Sequence, residues 1–398
     1  MKQERLFKII GQIDETLVEN AESIKISKSK KSILLKYGTL AACAILTVGI
    51  GITMFQNSKK PPIIDIPPVS SEDSKLPLLD IDIDSIHKEA MGFECYHAYH
   101  IKELINGNPW QEHSQLTHLP VIKNVNALDK RFMVENPDLE AMESLLINTA
   151  NILGMNGNQL PIKKSLDEPL LFLIEDSNCK VEVDSTLTAT AWFKTPIPLP
   201  KNLTFGFYST YDQLYSVGEY FQKKYSRSIP MENPVINISG GDYSNNGKQQ
   251  YHLGFFDRSG DEVQQILNYN LSSLTLSPDE NGNLYMLRFQ QPDLTNIIGN
   301  YPIINKEQAL QLLENGNYIT TVQEKFPGMK YVRKVELIYR SGAMEKIYMP
   351  YYCIYVTIPN LKETDVYDKG MNAYGTYYIP AIYSQFIKNV PIWDGHFN

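Results

Sequence analysis

The feature that most constrains this chain is a run of twenty-two residues without a charged side chain, 37–58. At about 1.5 Å per residue, a helix over this run would be about 33 Å long, close to the thickness of a bilayer hydrocarbon core. Because backbone groups in lipid have no water to bond, such a run must be helical. The sequence therefore predicts one transmembrane helix over 37–58, with a short tail before it and a large domain after it.

The charges flanking this run predict its orientation. Two lysines follow it, Lys59 and Lys60, whereas five precede it: Lys25, Lys28, Lys30, Lys31 and Lys36. Since basic flanks stay in the cytoplasm, we expect a cell-membrane protein with a cytoplasmic N-terminus and an extracellular C-terminal domain. The sequence LAAC at Leu40–Cys43 is similar to a lipoprotein cleavage box, so lipidation is the alternative. A lipobox ends an apolar run, however, and here the motif begins one.

Residues 1–22 have the pattern of an amphipathic helix within the cytoplasmic segment 1–36. Its apolar stripe recurs at spacings of three and four residues and comprises Leu6, Ile10, Ile13 and Leu17. A segment this short cannot bury the stripe alone, so we expect it to bind a cytosolic protein. The alternative is a helix lying on the membrane, although its acidic residues are unusual for that role.

The N-terminal sequence resembles a known group of proteins. Residues 6–21 read LFKIIGQIDETLVENA and residues 36–49 read KYGTLAACAILTVG. Both are similar to the start of single-pass clostridial (Firmicutes) membrane proteins, some of which are like anti-sigma factors. The resemblance implies a Gram-positive source and a sigma factor or other regulator as the cytosolic partner. Residues 1–36 contain no Cys or His, so it does not extend to the zinc-binding anti-sigma domain.

Beyond the apolar run, the composition predicts a linker and then an α+β domain of antiparallel sheets with packed helices. Residues 59–90 are rich in Pro, Ser and Asp, which favours an extended, semi-rigid stalk. We divide the remainder into a first part, 91–300, and a second part, 301–398. Helices are expected to begin at the Asn136-Pro137 pair, at Tyr211, after Asp261 and after Asn305. Strands are expected at 170–174, 180–184, 186–193, 203–208, 235–238 and 251–256, in a hairpin 271–276/284–289 around Asn281-Gly282, and at 331–340, 347–358 and 375–383.

The C-terminal part also resembles a known unit. INKEQALQLLENGNY at 304–318, followed by VRKVELIYRS and YYCIYVTI, is similar to the helix and antiparallel strands of PepSY-like domains. With GFECYHAYHIKELINGNPW at 92–110, this part also resembles the ectodomains of uncharacterised clostridial membrane proteins. The resemblance implies a fold and brings no chemistry with it.

Candidate chemistry in the domain is sparse. Five potential zinc ligands fall close together, but their spacing fits no standard zinc motif: Cys95, His97, His100, His113 and His118. The carboxylate pairs Asp257/Asp261 and Glu363/Asp365 are more typical of solvated loops than of acid–base catalysis. Nucleophile-elbow, zinc-protease and phosphate-loop motifs are absent from the sequence. We therefore expect no enzyme, metal or cofactor. An unrecognised hydrolase is the remote alternative.

Tyrosine is concentrated at the C-terminal end, where 12 of 25 lie in residues 318–398. Tyrosine suits sheet packing, and the alternative is an aromatic ligand face at Tyr348, Tyr351, Tyr377 and Tyr378. The net charge of −8 argues against nucleic acid as a partner. Together these features predict a non-enzymatic, membrane-anchored sensor or regulator with an unknown extracellular ligand. The alternative is a surface-anchored binding module with no signalling role.

Overall fold

The computed structural model describes residues 73–84, 86, 95–165, 170–359, 361 and 370–395. This part of the chain is α+β, as predicted, with all strand ladders antiparallel. Its α-helices are α1 Leu139–Ile152, α2 Tyr211–Lys224, α3 Glu262–Leu271 and α4 Lys306–Glu314. Its strands are β1 Tyr96–Ala98, β2 His118–Lys123, β3 Lys163–Ser165, β4 Leu171–Glu175, β5 Cys179–Asp184, β6 Thr188–Ile197, β7 Pro234–Tyr243, β8 Gln249–Asp257, β9 Ser273–Pro278, β10 Leu284–Gln290, β11 Ile297–Pro302, β12 Ile319–Thr320, β13 Val332–Tyr339, β14 Ile347–Tyr348, β15 Pro350–Thr357 and β16 Asn372–Pro380.

An eight-stranded sheet is formed by β3 to β10 in the order β3-β4-β5-β6-β10-β9-β8-β7. Its strands alternate apolar and polar residues, so one face is apolar and the other polar. The apolar face, which includes Val181, Ala191, Leu287 and Leu274, packs with α1 and α2 to form one core. The opposite face, called here the outer face, carries threonine, serine, arginine and glutamine side chains.

A five-stranded sheet follows the order β1-β16-β15-β13, with β12 also paired to β16. Both of its faces are covered. Tyr352, Ile354 and Ile379 share a core with residues of α3 and α4, and Tyr351 belongs to a second core on the opposite side. The expected strands over 331–340 and 375–383 are therefore present with slightly different bounds. The single strand expected over 347–358 is instead two strands, because Ile347–Tyr348 pairs with β2 and Pro350–Thr357 pairs with β13 and β16. A third sheet, β11-β2-β14, was not predicted from the sequence.

Helix caps account for most of the helix starts. Thr210 and Gln213 form a reciprocal capping box at α2, and Asn305 and Gln308 form another at α4, which confirms the predicted start of α4. The predicted start of α1 is wrong by two residues. Asp138, rather than Asn136, accepts the capping hydrogen bond, from the backbone N–H of Ala141. An Asp side chain satisfies a free helical N–H as well as Asn does.

Two strand predictions need correction. Residues 203–208 form irregular chain and a turn instead of a strand, and the chain there leads directly into α2. The strand expected at 235–238 extends to Tyr243 as β7, through a bulge at Gly240–Asp242. Gly241 has a φ of +103°, and a methyl group there would overlap the carbonyl oxygen of Glu103. Glycine therefore lets the segment after β1 lie directly against β7. The hairpin around Asn281-Gly282 is confirmed, as β9 and β10.

The second half of the predicted linker is part of the folded domain. Leu79, Ile81 and Ile86 are buried in the core beneath Tyr351. Leu79 forms a parallel bridge with Ile387, and the backbone of Ile81 bonds the Asn389 side chain in both directions. The alternating Leu and Ile residues of this segment supply an apolar face, which an exposed stalk would leave in water. The stalk prediction is therefore wrong for the described residues 73–84 and 86.

The predicted membrane elements lie outside the described residues. These are the amphipathic helix 1–22 with Leu6, Ile10, Ile13 and Leu17, the span 37–58 and the first part of the linker. Within the described part of the chain, no helix is long and apolar enough to cross a membrane.

Candidate functional site

The outer face of the eight-stranded sheet presents polar side chains in register across neighbouring strands. One row runs through Glu182 on β5, Thr190 on β6, Arg288 on β10 and Thr275 on β9. In the next row, Thr188 pairs with Gln290, which pairs with Ser273. Because alternate residues of a strand share a face, these side chains all project from the side opposite α1 and α2.

Two adjoining cavities, of about 380 and 260 Å³, lie on this face and share Ser273, Thr275 and Ser341. Together they form what we call the polar cleft. The larger cavity is lined by Asn124, Asn126, Thr186, Thr188, Ser273, Thr275, Arg288, Gln290, Pro292, Ser341, Gly342, Ala343 and Tyr348. The smaller adds Asn237, Ser239, His252, Leu253, Gly254, Phe255, Tyr269, Asn270 and Tyr339. Hydroxyls and amides dominate this lining, and none of the described residues in it carries a carboxylate.

Arg288 supplies a positive charge to the polar cleft. Its side chain is exposed and forms no ion pair or hydrogen bond with any residue that the structure describes. Thr190 and Thr275 flank it on the two neighbouring strands. A guanidinium with five donors and two adjacent hydroxyls matches the geometry of a carboxylate or phosphate group. This row can therefore bind an acid group with charge-assisted hydrogen bonds.

Asn126 adds a buried amide to the polar cleft. Only 4 % of its surface is exposed, yet its side chain forms no hydrogen bond within the described residues. Its backbone N–H donates to Asn124 Oδ1 at 3.1 Å, which fixes its position. Because Asn126 lines the larger cavity, its side-chain amide can be reached from the cleft. A hydroxyl-bearing ligand in the cleft would satisfy this amide.

One wall of the polar cleft is the loop from Arg340 to Glu345, which is held by a buried ion pair. Arg340 Nε donates to Glu345 Oε1 at 2.5 Å, and both side chains are more than nine-tenths buried. The Arg340 guanidinium also lies 4.6 Å from the ring centre of Tyr378 and 5.9 Å from that of Tyr351. Asn124 Nδ2 donates to the Glu345 carbonyl at 2.8 Å. These contacts make the wall rigid before any ligand binds.

The four tyrosines predicted as an alternative ligand face do not form one. Tyr348, Tyr351 and Tyr377 are buried, with 5 %, 0 % and 0 % of their surfaces exposed, and Tyr378 is half-buried. They also divide between two faces of the five-stranded sheet, with Tyr377 on the side of α3 and α4 and Tyr351 on the other. Tyr348 alone of the four lines the polar cleft. These buried positions fit the other interpretation, in which the tyrosines pack within the sheets.

The predicted metal and carboxylate candidates serve other roles here. Among the residues that the structure describes, no group of His, Cys, Asp and Glu is placed to hold a metal ion. His100 caps a short 3-10 helix, His118 contacts Asp73, and Cys95 is a free thiol whose pKa burial raises to about 12. Asp257 accepts three backbone N–H groups, and Asp261 caps α3. Glu363 and Asp365 lie outside the described residues.

Sequence reasoning missed the polar cleft, although part of its signal is visible in the sequence. Residues 186–192 read TLTATAW, a strict alternation of threonine with small apolar residues that ends in tryptophan. Serine and threonine alternate with leucine in β9 in the same way. This pattern indicates a sheet with one polar face, but pairing over long sequence separations decides which strands lie side by side.

Since the comparisons below found no match, the proposed function rests on the geometry of the polar cleft. No protein-family model matches the chain, and no curated protein matches it.

Proposed function

We propose that the domain is a non-enzymatic binding module that takes a hydroxyl-rich ligand carrying an acid group into the polar cleft. The observation that carries this proposal is Arg288, a cation that is flanked by threonine hydroxyls and has no ion-pair partner among the described residues. The amide of Asn126, which has no side-chain hydrogen bond to any described residue, supports it, since this amide matches a neutral hydroxyl better than a charge.

The cleft chemistry favours binding over catalysis. Its potential nucleophiles are serine and threonine hydroxyls, and His252 is its one imidazole. Within the described residues, His252 forms no hydrogen bond to a serine hydroxyl, as it would if it activated that serine as a nucleophile. Acid–base catalysis needs a group positioned to take a proton, usually within hydrogen-bond reach of the attacking atom. Ligand recognition requires only the donors and acceptors that the cleft already contains.

We further propose that this module is the extracellular part of a single-pass membrane sensor or regulator. The apolar run 37–58 and its basic N-terminal flank support this topology, with the N-terminus in the cytoplasm. The stripe of Leu6, Ile10, Ile13 and Leu17 supports a cytosolic protein partner, for which a sigma factor is the first candidate. In the alternative, the protein is a surface-anchored module and its tail has no signalling role.

Ligand binding is tested with full-length protein and two matched sugars, D-galacturonate and D-galactose, by ligand-observed NMR titration. We expect galacturonate to bind and galactose to bind more weakly. R288Q should weaken galacturonate binding about 10- to 100-fold, because it removes a charge-assisted contact worth about 1.5–3 kcal/mol. The control is R258Q, which changes an exposed arginine outside the polar cleft. If R288Q and R258Q bind galacturonate like the wild type, the proposal is wrong.

The cytosolic arm is tested by capturing partners on immobilised residues 1–36. The comparison segment carries I10D and I13D, and a control segment carries E15A on the predicted polar side. A protein that binds the native and control segments but not I10D/I13D would support the regulator. Equal background on all three would leave the surface-anchored alternative.

A further inference from the structure

An aromatic pair lies on the outer face beyond Arg288. Trp192 of β6 and Tyr285 of β10 have ring centres 5.5 Å apart with an interplanar angle of 64°. Tyr285 is 40 % exposed and Trp192 is half-buried. Since Trp192 is two residues from Thr190, the two share a face, and the ring contact brings Tyr285 to that face as well. The pair and the polar cleft therefore belong to one continuous surface.

Neighbouring side chains hold the indole in place. Trp192 Nε1 donates to Glu182 Oε2 at 3.1 Å, and Lys180 Nζ donates to Glu182 Oε1 at 2.7 Å. The Lys180 ammonium lies 5.8 Å from the centre of the Trp192 ring. With the indole fixed by its N–H and packed against Tyr285, the exposed tyrosine ring has a defined orientation. A preordered ring loses little conformational freedom when a ligand packs on it.

The spacing along the strands sets the length of ligand that this surface accommodates. Thr188 lines the polar cleft and Trp192 is four residues further along β6. At about 3.4 Å per residue, these positions are about 14 Å apart, with the Thr190–Arg288 pair midway between them. This distance is longer than one pyranose ring and is within reach of a short chain of them.

We propose that the ligand is an acidic oligosaccharide that lies along β6 and β10, with a carboxylate on Arg288 and a neighbouring ring stacked at Tyr285 and Trp192. This proposal rests on the proposed function and specifies its ligand. The apolar C–H face of a sugar packs on an aromatic ring, while its hydroxyls pair with the threonine, serine and amide side chains.

A peptide fits the same surface less well. Peptides commonly bind sheets by adding a strand at an edge, where backbone groups are unpaired. Here β6 lies between β5 and β10, and β10 lies between β6 and β9, so both are interior strands whose backbone groups are used in the ladders. What the outer face offers is side-chain hydroxyls, amides and rings. Those groups match the edges and faces of sugar rings.

The test compares D-galacturonate, trigalacturonate, cellotriose and triglutamate as probes on full-length protein. Isothermal titration gives the affinities, and the part of the tryptophan fluorescence change that is lost in W192F reports on Trp192, since the chain has three tryptophans. We expect trigalacturonate to bind about tenfold tighter than the monomer, which corresponds to about 1.4 kcal/mol from the contact of the second ring with Tyr285 and Trp192. Y285S should abolish that gain. W192F, which keeps a ring but loses the bond to Glu182, should reduce the gain. Y215S, an equally exposed tyrosine on α2, is the control and should change nothing.

The outcomes separate this inference from the proposed function. If the trimer binds no tighter than the monomer, or if its advantage persists in both Y285S and W192F, the oligosaccharide inference is wrong. The cleft proposal still holds in that case, provided that R288Q weakens the monomer. If triglutamate binds as tightly as trigalacturonate, the ligand is an acidic peptide instead of an oligosaccharide. If cellotriose binds more tightly than trigalacturonate, the ligand carries no acid group. If no acidic sugar binds at all, both proposals fail.

Discussion

The wall of the polar cleft gives the sharpest stability prediction, because E345Q removes the carboxylate that forms a buried ion pair with Arg340. The Arg340 side chain is 9 % exposed and the Glu345 side chain 3 %. Burial, the largest effect, would lower the pKa of Arg340, but the charge and hydrogen bond of Glu345 together with Tyr378 and Tyr351 raise it. Arginine does not lose its proton in proteins, so E345Q leaves a buried cation facing the rings of Tyr351 and Tyr378.

The expected cost follows from this arrangement. Removing one partner of a buried ion pair typically costs about 3–5 kcal/mol, because the remaining charge is left without compensation. For the compact unit 63–398, an unfolding entropy of about 2.1 cal/mol/K per residue corresponds to about 0.7 kcal/mol/K. E345Q should therefore lower the Tm by about 4–7 °C. Its loosened wall should also weaken ligand binding in the polar cleft.

A double-mutant cycle tests this reasoning by urea unfolding followed through tryptophan fluorescence. The variants are E345Q, R340M and the double variant, and the last should be more stable than E345Q because no charge remains buried. D80N is the control, since the Lys388–Asp80 pair is exposed on both sides and should contribute less than about 1 kcal/mol. A loss below about 1 kcal/mol for E345Q, or additive single effects, would refute the argument.

Three further predictions concern other parts of the domain. L79A should destabilise the protein by about 2–5 kcal/mol, as measured by urea unfolding, because it opens a cavity in the core. L78A, which changes an exposed neighbour, should change the stability by less than about 0.5 kcal/mol. G241A should lower the Tm more than G247A, because both residues have positive φ but only a methyl group at Gly241 meets another backbone segment. A smaller decrease in Tm for G241A than for G247A would contradict the close approach of Gly241 to Glu103. Burial lowers the pKa of His97 below 6.5, so between that lowered pKa and 6.5 the unfolded chain binds more protons than the folded chain, and stability should fall as the pH is reduced through this window. H97Q should flatten this part of the stability profile, which denaturant titration measures. An unchanged profile would argue against a buried neutral imidazole at His97.

Local signals explain the parts of the fold that the sequence predicts well. The capping residues Thr210 and Asn305 and the periodic apolar residues after them are sufficient to predict α2 and α4. The Asn281-Gly282 turn between two alternating runs is sufficient for the hairpin. In each case the interacting residues are close in sequence, so a short window contains the whole interaction.

The third sheet is an example of structure that a short sequence window does not predict. β2 pairs with β11 and β14, strands that lie far along the chain, so the pairing depends on contacts between residues that are distant in sequence. The polar cleft depends on the same long-range contacts, since Asn126 and Ser341 meet Arg288 only after all three sheets form. The sequence pattern of β6 indicates a polar face, but it does not indicate what lies opposite.

The tyrosines illustrate a different limit. Alternation along a strand separates Tyr351 from Tyr352 onto opposite faces, and this is readable from the sequence. Whether a face is covered depends on other segments, here α4 on one side and residues around Ile81 on the other. Because that second segment resembles a linker in composition, the sequence suggests an open face where the structure has a closed one.

The parallel bridge between Leu79 and Ile387 joins the beginning of the domain to its end. We therefore expect a circular permutant to be tolerated, with a linker that joins the segment after Ile387 to the segment before Leu79 and with new ends in the tight turn at Ser244–Lys248. Because Leu79 and Ile387 share one core, we expect proteolytic trimming at either end to loosen the partner segment at the other and to expose the core that both cover.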